Sequence, residues 1–302
     1  MLRSTLLYLS ESKKLAHWTM KMGVSRRVAQ RFVAGETLED AIAAARTLNR
    51  AGYTVSLDLL GENVLDKDGA IRAADVYVAM FDRIAAEKLD GNISLKLTQL
   101  GLDLDAQLCE SLLTQIAAAA ARHHNFLRID MEGSPYTQRT VDLCTRVKAA
   151  TDAVGTVIQS YLRRSERDVR DLIAAGCRIR LVKGAYQEPA EIAFPEKKDV
   201  DANFVKLMEI LLPSGIYHAI ATHDPRMIDA TKKFAAAQGI AKDRFEFQML
   251  YGIRTDLQEG LRREGYRVRI YIPFGTDWFP YFMRRLAERP ANLTFFLRNL
   301  FR

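Results

Sequence analysis

The feature that most constrains this chain is a regular alternation. Eight short β-rich runs, TVSLDLLG (54–61), NISLKLTQL (92–100), FLRIDMEG (126–133), GTVIQSYL (155–162), RIRLVKGA (178–185), YHAIATHD (217–224), FEFQMLYG (245–252) and VRIYIPFG (268–275), are separated by segments whose apolar residues recur at helical spacing. DAQLCESLLTQIAAAAARHH (105–124) and DPRMIDATKKFAAAQG (224–239) are two of these, ending in polar residues or glycine. Strand and helix in strict alternation call for a parallel sheet, and eight units favour a closed barrel over an open sheet. The expected fold is therefore α/β, a (β/α)8 TIM-type barrel with some distortion.

Residues 1–50 read as an N-terminal helical arm, with helical patterns over 12–23 and 37–50, and residues 51–302 as one barrel domain with C-terminal helices. After the eighth run, PYFMRRLAER (280–289) has the pattern of a helix able to lie over the barrel mouth, followed by Pro290 and the aromatic-rich LTFFLRNLFR (293–302). Neither a proline-, glycine- or serine-rich linker nor a further repeat marks a second domain. Cys109, Cys144 and Cys177 stand far apart with no CxxC pair, which argues against a disulfide framework or a thiolate zinc site and fits a reducing cytosol. No long uncharged apolar stretch or signal-peptide pattern is evident, so a soluble or peripheral protein is expected. The net charge of +7 could attract nucleic acid, anionic lipid or an acidic substrate. The basic residues are scattered without a recognition motif, so no nucleic-acid partner is expected.

In a barrel of this kind the chemistry gathers at the C-terminal strand ends, where the loops converge over one mouth. The polar residues that interrupt or end the apolar runs are Asp58, Glu62, Lys96, Asp130, Glu132, Gln159, Arg180, Lys183, Thr222, His223, Gln248 and Tyr271, at least one per strand. An ionisable residue inside a run such as ISLKL or LRID is costly to bury unless it is paired or faces a solvated cavity. Lys96 and Asp130 could simply pair with each other; for the whole set, one large polar ligand site is the better explanation. His123 and His124 sit at a helix end and His223 stands alone at a strand end, so no metal site is suggested. No GxSxG elbow, GxGxxG or Walker loop is present.

The segments LDLLGE (57–62), ISLKLTQLG (93–101), RIDMEG (128–133), IQSYLRRS (158–165), RLVKGAY (180–186), ATHD (221–224), FEFQMLYG (245–252), YIPFG (271–275) and YFMRRLAER (281–289), in this order, resemble the proline dehydrogenase family from about residue 53 to about 298. The resemblance implies an FAD-dependent enzyme of the monofunctional form. Such an enzyme oxidises L-proline to Δ1-pyrroline-5-carboxylate by hydride transfer from C5 to flavin N5 and passes the electrons to a membrane quinone. It implies catalytic roles for Arg180, near flavin N5, and for Lys96 and Asp130. Gln159, Val182, Lys183, Gly184, Ala185, Thr222, His223, Gln248 and Glu288 are matched, with Asp130 and Arg180, to the cofactor. Arg284, Arg285 and Lys96 are matched to the substrate carboxylate, and Ala185, Tyr186, Tyr271 and Tyr281 to the wall around the pyrrolidine ring. Tyr271 is the residue expected to oppose a ring-hydroxylated substrate, and Glu62 is matched to a gate with Arg284. Asp58 either supports that gate or is structural.

The expected location is cytoplasmic, with possible peripheral contact at the inner face of the cytoplasmic membrane. The aromatic tail suits either that contact or packing on the barrel. The rival chemistry is a barrel aldolase forming a Schiff base on Lys96 or Lys183.

Overall fold

The structure, a computed structural model, describes residues 31–61, 64–279 and 281. Eight parallel strands close into a barrel in sequence order: β1 (Thr54–Leu59), β2 (Gly91–Leu95), β3 (Leu127–Ile129), β4 (Val154–Gln159), β5 (Arg178–Val182), β6 (His218–Ala221), β7 (Phe245–Leu250) and β8 (Arg267–Phe274). The pairing of β1 with β8, Ser56 opposite Tyr271 and Asp58 opposite Pro273, completes the ring. The helices are α1 (Leu38–Arg50), α2 (Lys67–Ala86), α3 (Ala106–Arg122), α4 (Ser134–Lys148), α5 (Ser165–Ala174), α6 (Lys197–Leu211), α7 (Pro225–Ala237) and α8 (Thr255–Arg263).

All eight β-rich runs become strands, but each leaves the ladder before its run ends. The NISLKLTQL run leaves the sheet after Leu95, and Leu97–Leu100 tightens into a 3-10 turn. Lys96, Lys183 and His223 thus follow the last ladder residues of their strands, where a side chain is released toward the mouth. The β-pattern persists past the strand because Lys96 is still buried and Lys183 and His223 still half-buried, not because they are paired.

Helix α1, expected within an N-terminal arm, lies in the outer helical ring. It buries Ala41, Ile42 and Ala45 and packs on β1 and β8. A capping box starts it, with the Asp40 N–H donating to Thr37 Oγ1 at 3.2 Å and the Thr37 N–H to Asp40 Oδ2 at 3.0 Å. The preceding residues are tied to the far end of β8: the Ala34 N–H donates to Pro273 O at 2.9 Å, and the Gly275 N–H to Gly35 O at 3.0 Å.

Along the strands one set of alternate residues is apolar and packs under the helices, as Val55, Leu57, Ile93, Leu127, Ile179 and Phe247 do. The other set is mostly polar and bonds from strand to strand. Ser56 Oγ lies 3.0 Å from Ser94 Oγ, Arg269 Nε donates to Glu246 Oε1 at 2.8 Å, and Arg180 bonds residues of β2 and β7. Barrels of this class usually fill their interior with branched apolar side chains; here hydrogen-bonded charges fill much of it.

Two buried strand positions, one inner and one facing the helices, give checkable consequences. A Cβ at Gly155 would lie 2.2 Å from Arg178 O and 2.8 Å from Phe126 Cζ, so Gly155→Ala is expected to destabilise the fold by about 1–3 kcal/mol in urea unfolding. His218 is buried, accepts the Ile179 N–H at Nδ1 (3.0 Å) and meets Ser214 Oγ at Nε2 (2.9 Å); burial first, then the nearby Arg128 charge, lowers its pKa to about 3. The unfolded chain therefore binds the extra proton below about pH 6.5, and stability should fall as pH drops through the window from 6.5 toward 3. Between pH 7 and 5 the wild type should lose roughly 2 kcal/mol through this group, and His218→Gln should lose correspondingly less.

Candidate active site

Arg180 forms the hub of the mouth. It lies on β5, 5% exposed, and its three donor directions are all engaged: Nη1 to Asp130 Oδ1 at 2.6 Å, Nη2 to Ser94 Oγ at 2.9 Å and Nε to Gln248 Oε1 at 2.5 Å. The second oxygen of Asp130 accepts the Tyr271 hydroxyl at 2.8 Å, and the Arg180 guanidinium carbon stands 5.3 Å from the centre of the Tyr271 ring. One carboxylate from the end of β3 therefore joins β5 to β8 across the barrel. Burial, then the Asp130 and Asp58 charges, holds the Tyr271 phenol well above its usual range, so it remains a donor.

Lys96 pairs with Asp58, not with Asp130. Its Nζ donates to Asp58 Oδ1 at 3.0 Å and Oδ2 at 3.3 Å, with both side chains buried. Register explains the pairing. Asp58 lies opposite Ser94, so Lys96, two residues further on the same face of the adjacent strand, reaches it directly. Burial raises the Asp58 carboxyl to about 6, and Asp130 adds to this against the opposing pull of Lys96. Sequence reading left Asp58 as a gate support or a structural residue; the SLDL alternation, which places it on the inner face with Ser56, was the available signal.

A second charge cluster lies where β5 and β6 meet the start of α7. Lys183 Nζ donates to Asp201 Oδ1 at 2.5 Å and to Asp224 Oδ2 at 2.7 Å, while Arg226 Nη2 reaches Asp201 and Asp224 at 2.7 and 2.9 Å. Asp224 caps α7 by accepting the Arg226 N–H at 3.1 Å. Burial alone would raise the Asp224 carboxyl, but the hydrogen bonds from Arg226 and Lys183 hold it well below the usual range. Sequence reading missed Asp201, which lies far along the chain on α6, and did not assign Asp224, although the Asp-Pro step at a helix start was legible.

Backbone geometry completes the walls. Gly184, with φ +117°, runs over the Tyr161 ring, and a Cβ there would fall 2.3 Å from it, so only glycine fits. Glu188 pins the loop that follows by accepting the Ser134 N–H at 2.7 Å. The His223 ring accepts the Leu250 N–H at Nε2 (2.9 Å), and Gln159 Nε2 donates to Glu132 O at 3.0 Å. Glu132 in turn accepts the Thr98 hydroxyl and N–H at 2.6 and 3.2 Å, which fixes the turn after Lys96.

These groups surround one cavity of about 530 Å³. Lys96, Asp130, Gln159, Arg180, Val182, Lys183, Gly184, Ala185, Tyr186, Thr222, His223, Gln248, Tyr271 and Tyr281 all line it, together with Asp58 and Asp224. Glu62, Arg284, Arg285 and Glu288 lie outside the described residues, as does most of the 280–289 segment. Among the described residues, no group of three or more His, Cys, Asp or Glu side chains is placed to hold a metal ion.

The Asp58–Lys96 pair yields a test by double substitution. Lys96→Met leaves Asp58 buried without its cation and raises its carboxyl further. A folded-state pKa above the unfolded value means stability present at low pH and lost as pH rises from the unfolded value to the folded one; in the wild type that window closes at about 6, and in Lys96→Met it extends upward from there. Lys96→Met should therefore lose about 3 kcal/mol or more relative to wild type at pH 8 and less at pH 5, whereas Asp58→Asn/Lys96→Met should recover most of the loss. Denaturant unfolding of the four proteins at both pH values measures this.

Comparison with known proteins places the chain. The proline dehydrogenase family profile matches residues 41–298. Proline dehydrogenase 1 of Bacillus subtilis subsp. natto is 43% identical over 300 residues, covering 99% of each chain, and proline dehydrogenase of Deinococcus radiodurans is 43% identical over 278 residues, covering 90% of each. Among solved structures, proline utilization A from Bdellovibrio bacteriovorus inactivated by N-propargylglycine superposes with a TM-score of 0.83 at 27% identity; the match covers 87% of this chain and 33% of that larger one. The chain belongs to the proline dehydrogenase family.

Proposed function

We propose that the chain oxidises L-proline to Δ1-pyrroline-5-carboxylate with FAD bound over the barrel mouth, and that a membrane quinone takes the electrons. The reading is carried by one observation: in a chain of this family, the Arg180–Asp130–Tyr271 network and the Lys96–Asp58 pair meet at the floor of a single cavity.

The donor set fits FAD. Arg180 presents a fixed cation at the floor, with Gln248 bonded beside it. Lys183 and Arg226 stand at the N-terminus of α7, a natural place for phosphate oxygens. Gly184 provides the close backbone approach that a planar ring against this wall needs. Asp130, Gln159, Val182, Ala185, Thr222 and His223 would complete the contacts, with Glu288 added by the family resemblance. Bound there, FAD would supply the two-electron acceptor for hydride leaving C5 of proline.

The side chains do the rest. Lys96 offers its ammonium to the proline carboxylate, aided by Arg284 and Arg285 if the helix after β8 follows the family pattern, with Glu62 closing on Arg284. Ala185, Tyr186, Tyr271 and Tyr281 give the pyrrolidine ring a shaped wall, and the Tyr271 ring opposes a hydroxylated one. Arg180 is held by three partners and needs no reorganisation as negative charge develops beside it. The proline amine must be neutral for its lone pair to form the C=N bond as hydride departs.

The aldolase alternative needs a neutral lysine, whereas Lys96 and Lys183 are both ion-paired. No helix among the described residues is long and apolar enough to cross a membrane. The net charge of +7 supports a cytoplasmic protein touching the inner face of an anionic membrane.

Purified protein should show flavin absorption near ~450 nm that bleaches on anaerobic addition of proline; a colourless protein, or a yellow one unchanged by proline, would refute the reading. The bleaching rate should rise with pH through the ionisation of the bound amine. Lys96→Met should raise the KM for proline roughly tenfold or more while keeping the flavin spectrum.

A further inference from the structure

A second cavity, of about 640 Å³, opens at the other end of the barrel among the N-terminal ends of the strands. The reaction proposed above uses none of it. Three inner positions stand there in a row, since the register pairs Arg128 with Gly155 and Gly155 with Arg178. Residue 155 has no side chain, so the Arg128 guanidinium lies across it and donates through Nη1 to Thr156 O at 2.9 Å and Arg178 O at 2.7 Å. Arg128 is 3% exposed, and its Nε has no hydrogen-bond partner.

Arg178 sits on the same aromatic ring. The two guanidinium carbons lie 4.7 Å (Arg128) and 5.1 Å (Arg178) from the Phe126 ring centre. Neither makes an ion pair with a carboxylate among the described residues, unlike Arg269, which Glu246 neutralises. Burial first, then the Arg180 charge, lowers the Arg128 pKa to about 9. Arg178 is exposed and feels the charge of Asp152, while buried Arg128 feels that of Glu246 from beyond ion-pair distance and keeps one donor, Nε, unanswered beside the cavity.

On the neighbouring strand the mismatch has the opposite sense. Arg128 is in register with Ser94, which places Asn92 one inner position closer to this end of the barrel. Asn92 is 6% exposed and its Oδ1 has no hydrogen-bond partner, while Asp90 stands exposed beside it in the cavity lining. One wall thus lacks an acceptor and the adjoining wall lacks a donor.

We propose that this lower cavity binds a small zwitterion of the amino-acid class, with its carboxylate held by Arg128 and Arg178 and its ammonium by the Asn92 oxygen and the Asp90 carboxylate. An anion alone would leave the Asn92 oxygen without a donor, and a cation alone would leave the Arg128 Nε without an acceptor.

Calorimetric titration of the full chain tests this, with glycine as the probe and acetate and ethylammonium as its two halves. Glycine should bind saturably, and each half more weakly. Arg178→Ala and Asn92→Leu should each weaken glycine roughly tenfold or more; Asn92→Leu keeps the volume and removes only the unanswered polar group, so its fold should hold. The Asp58→Asn/Lys96→Met variant, altered only at the mouth, should bind glycine as the wild type does. Three results would overturn the proposal: no saturable glycine binding, unchanged binding in Arg178→Ala, or acetate binding as tightly as glycine. Loss of binding in the mouth variant would assign the ligand to the mouth instead. The readout is binding, so it stands whether or not the chain oxidises proline.

Discussion

A buried guanidinium bonded through each of its three nitrogens organises this molecule. Burying Arg180 at the centre of a barrel is costly unless its nitrogens are bonded, and its partners come from β2, β7 and the end of β3. Because those partners are far apart in the chain, satisfying this one side chain specifies how half of the ring closes. Asp130 carries the specification on to β8 through the Tyr271 hydroxyl. The interior is thereby committed to a polar network in place of the usual apolar layers, and the mouth inherits charges that are already fixed in place.

The arrangement separates two kinds of electrostatic environment along one axis. At the mouth, positive and negative groups are matched: Lys96 with Asp58, Arg180 with Asp130, and Lys183 with Asp201 and Asp224. At the other end, Arg128 and Arg178 share an aromatic ring, and neither has a carboxylate at ion-pair distance among the described residues. The first is what a site needs if charge is to develop there without rearrangement. The second is what remains when the strands have spent their inner positions on cations faster than on anions.

The fold was almost entirely legible, because a period-2 pattern followed by a helical one, repeated eight times, admits few architectures. Strand ends were less so. Lys96 and Lys183 sit in runs that look like strand to a pattern reader, since burial continues past the last ladder bond and the pattern responds to burial. Membership of the cavity was legible from position alone. Pairing was not: the Lys96 partner depends on the stagger of β1 against β2, which places Asp58 opposite Ser94, and no single segment contains that information. Asp201 was invisible for a similar reason, as an acid on an exposed-looking helix whose role depends on which strand end it meets. The packing of α1 into the outer ring likewise follows from barrel closure between β8 and β1, which the periodicity of 37–50 does not reveal.

The bond from the Leu250 N–H to the His223 ring carries a consequence for recognition. By occupying the lone pair on Nε2, the backbone of β7 decides the tautomer, and a neutral imidazole so engaged must carry its proton on Nδ1. Such a ring can give a hydrogen bond from its remaining nitrogen but cannot receive one there. Whatever meets that nitrogen must therefore accept, so an oxygen suits it and an ammonium does not.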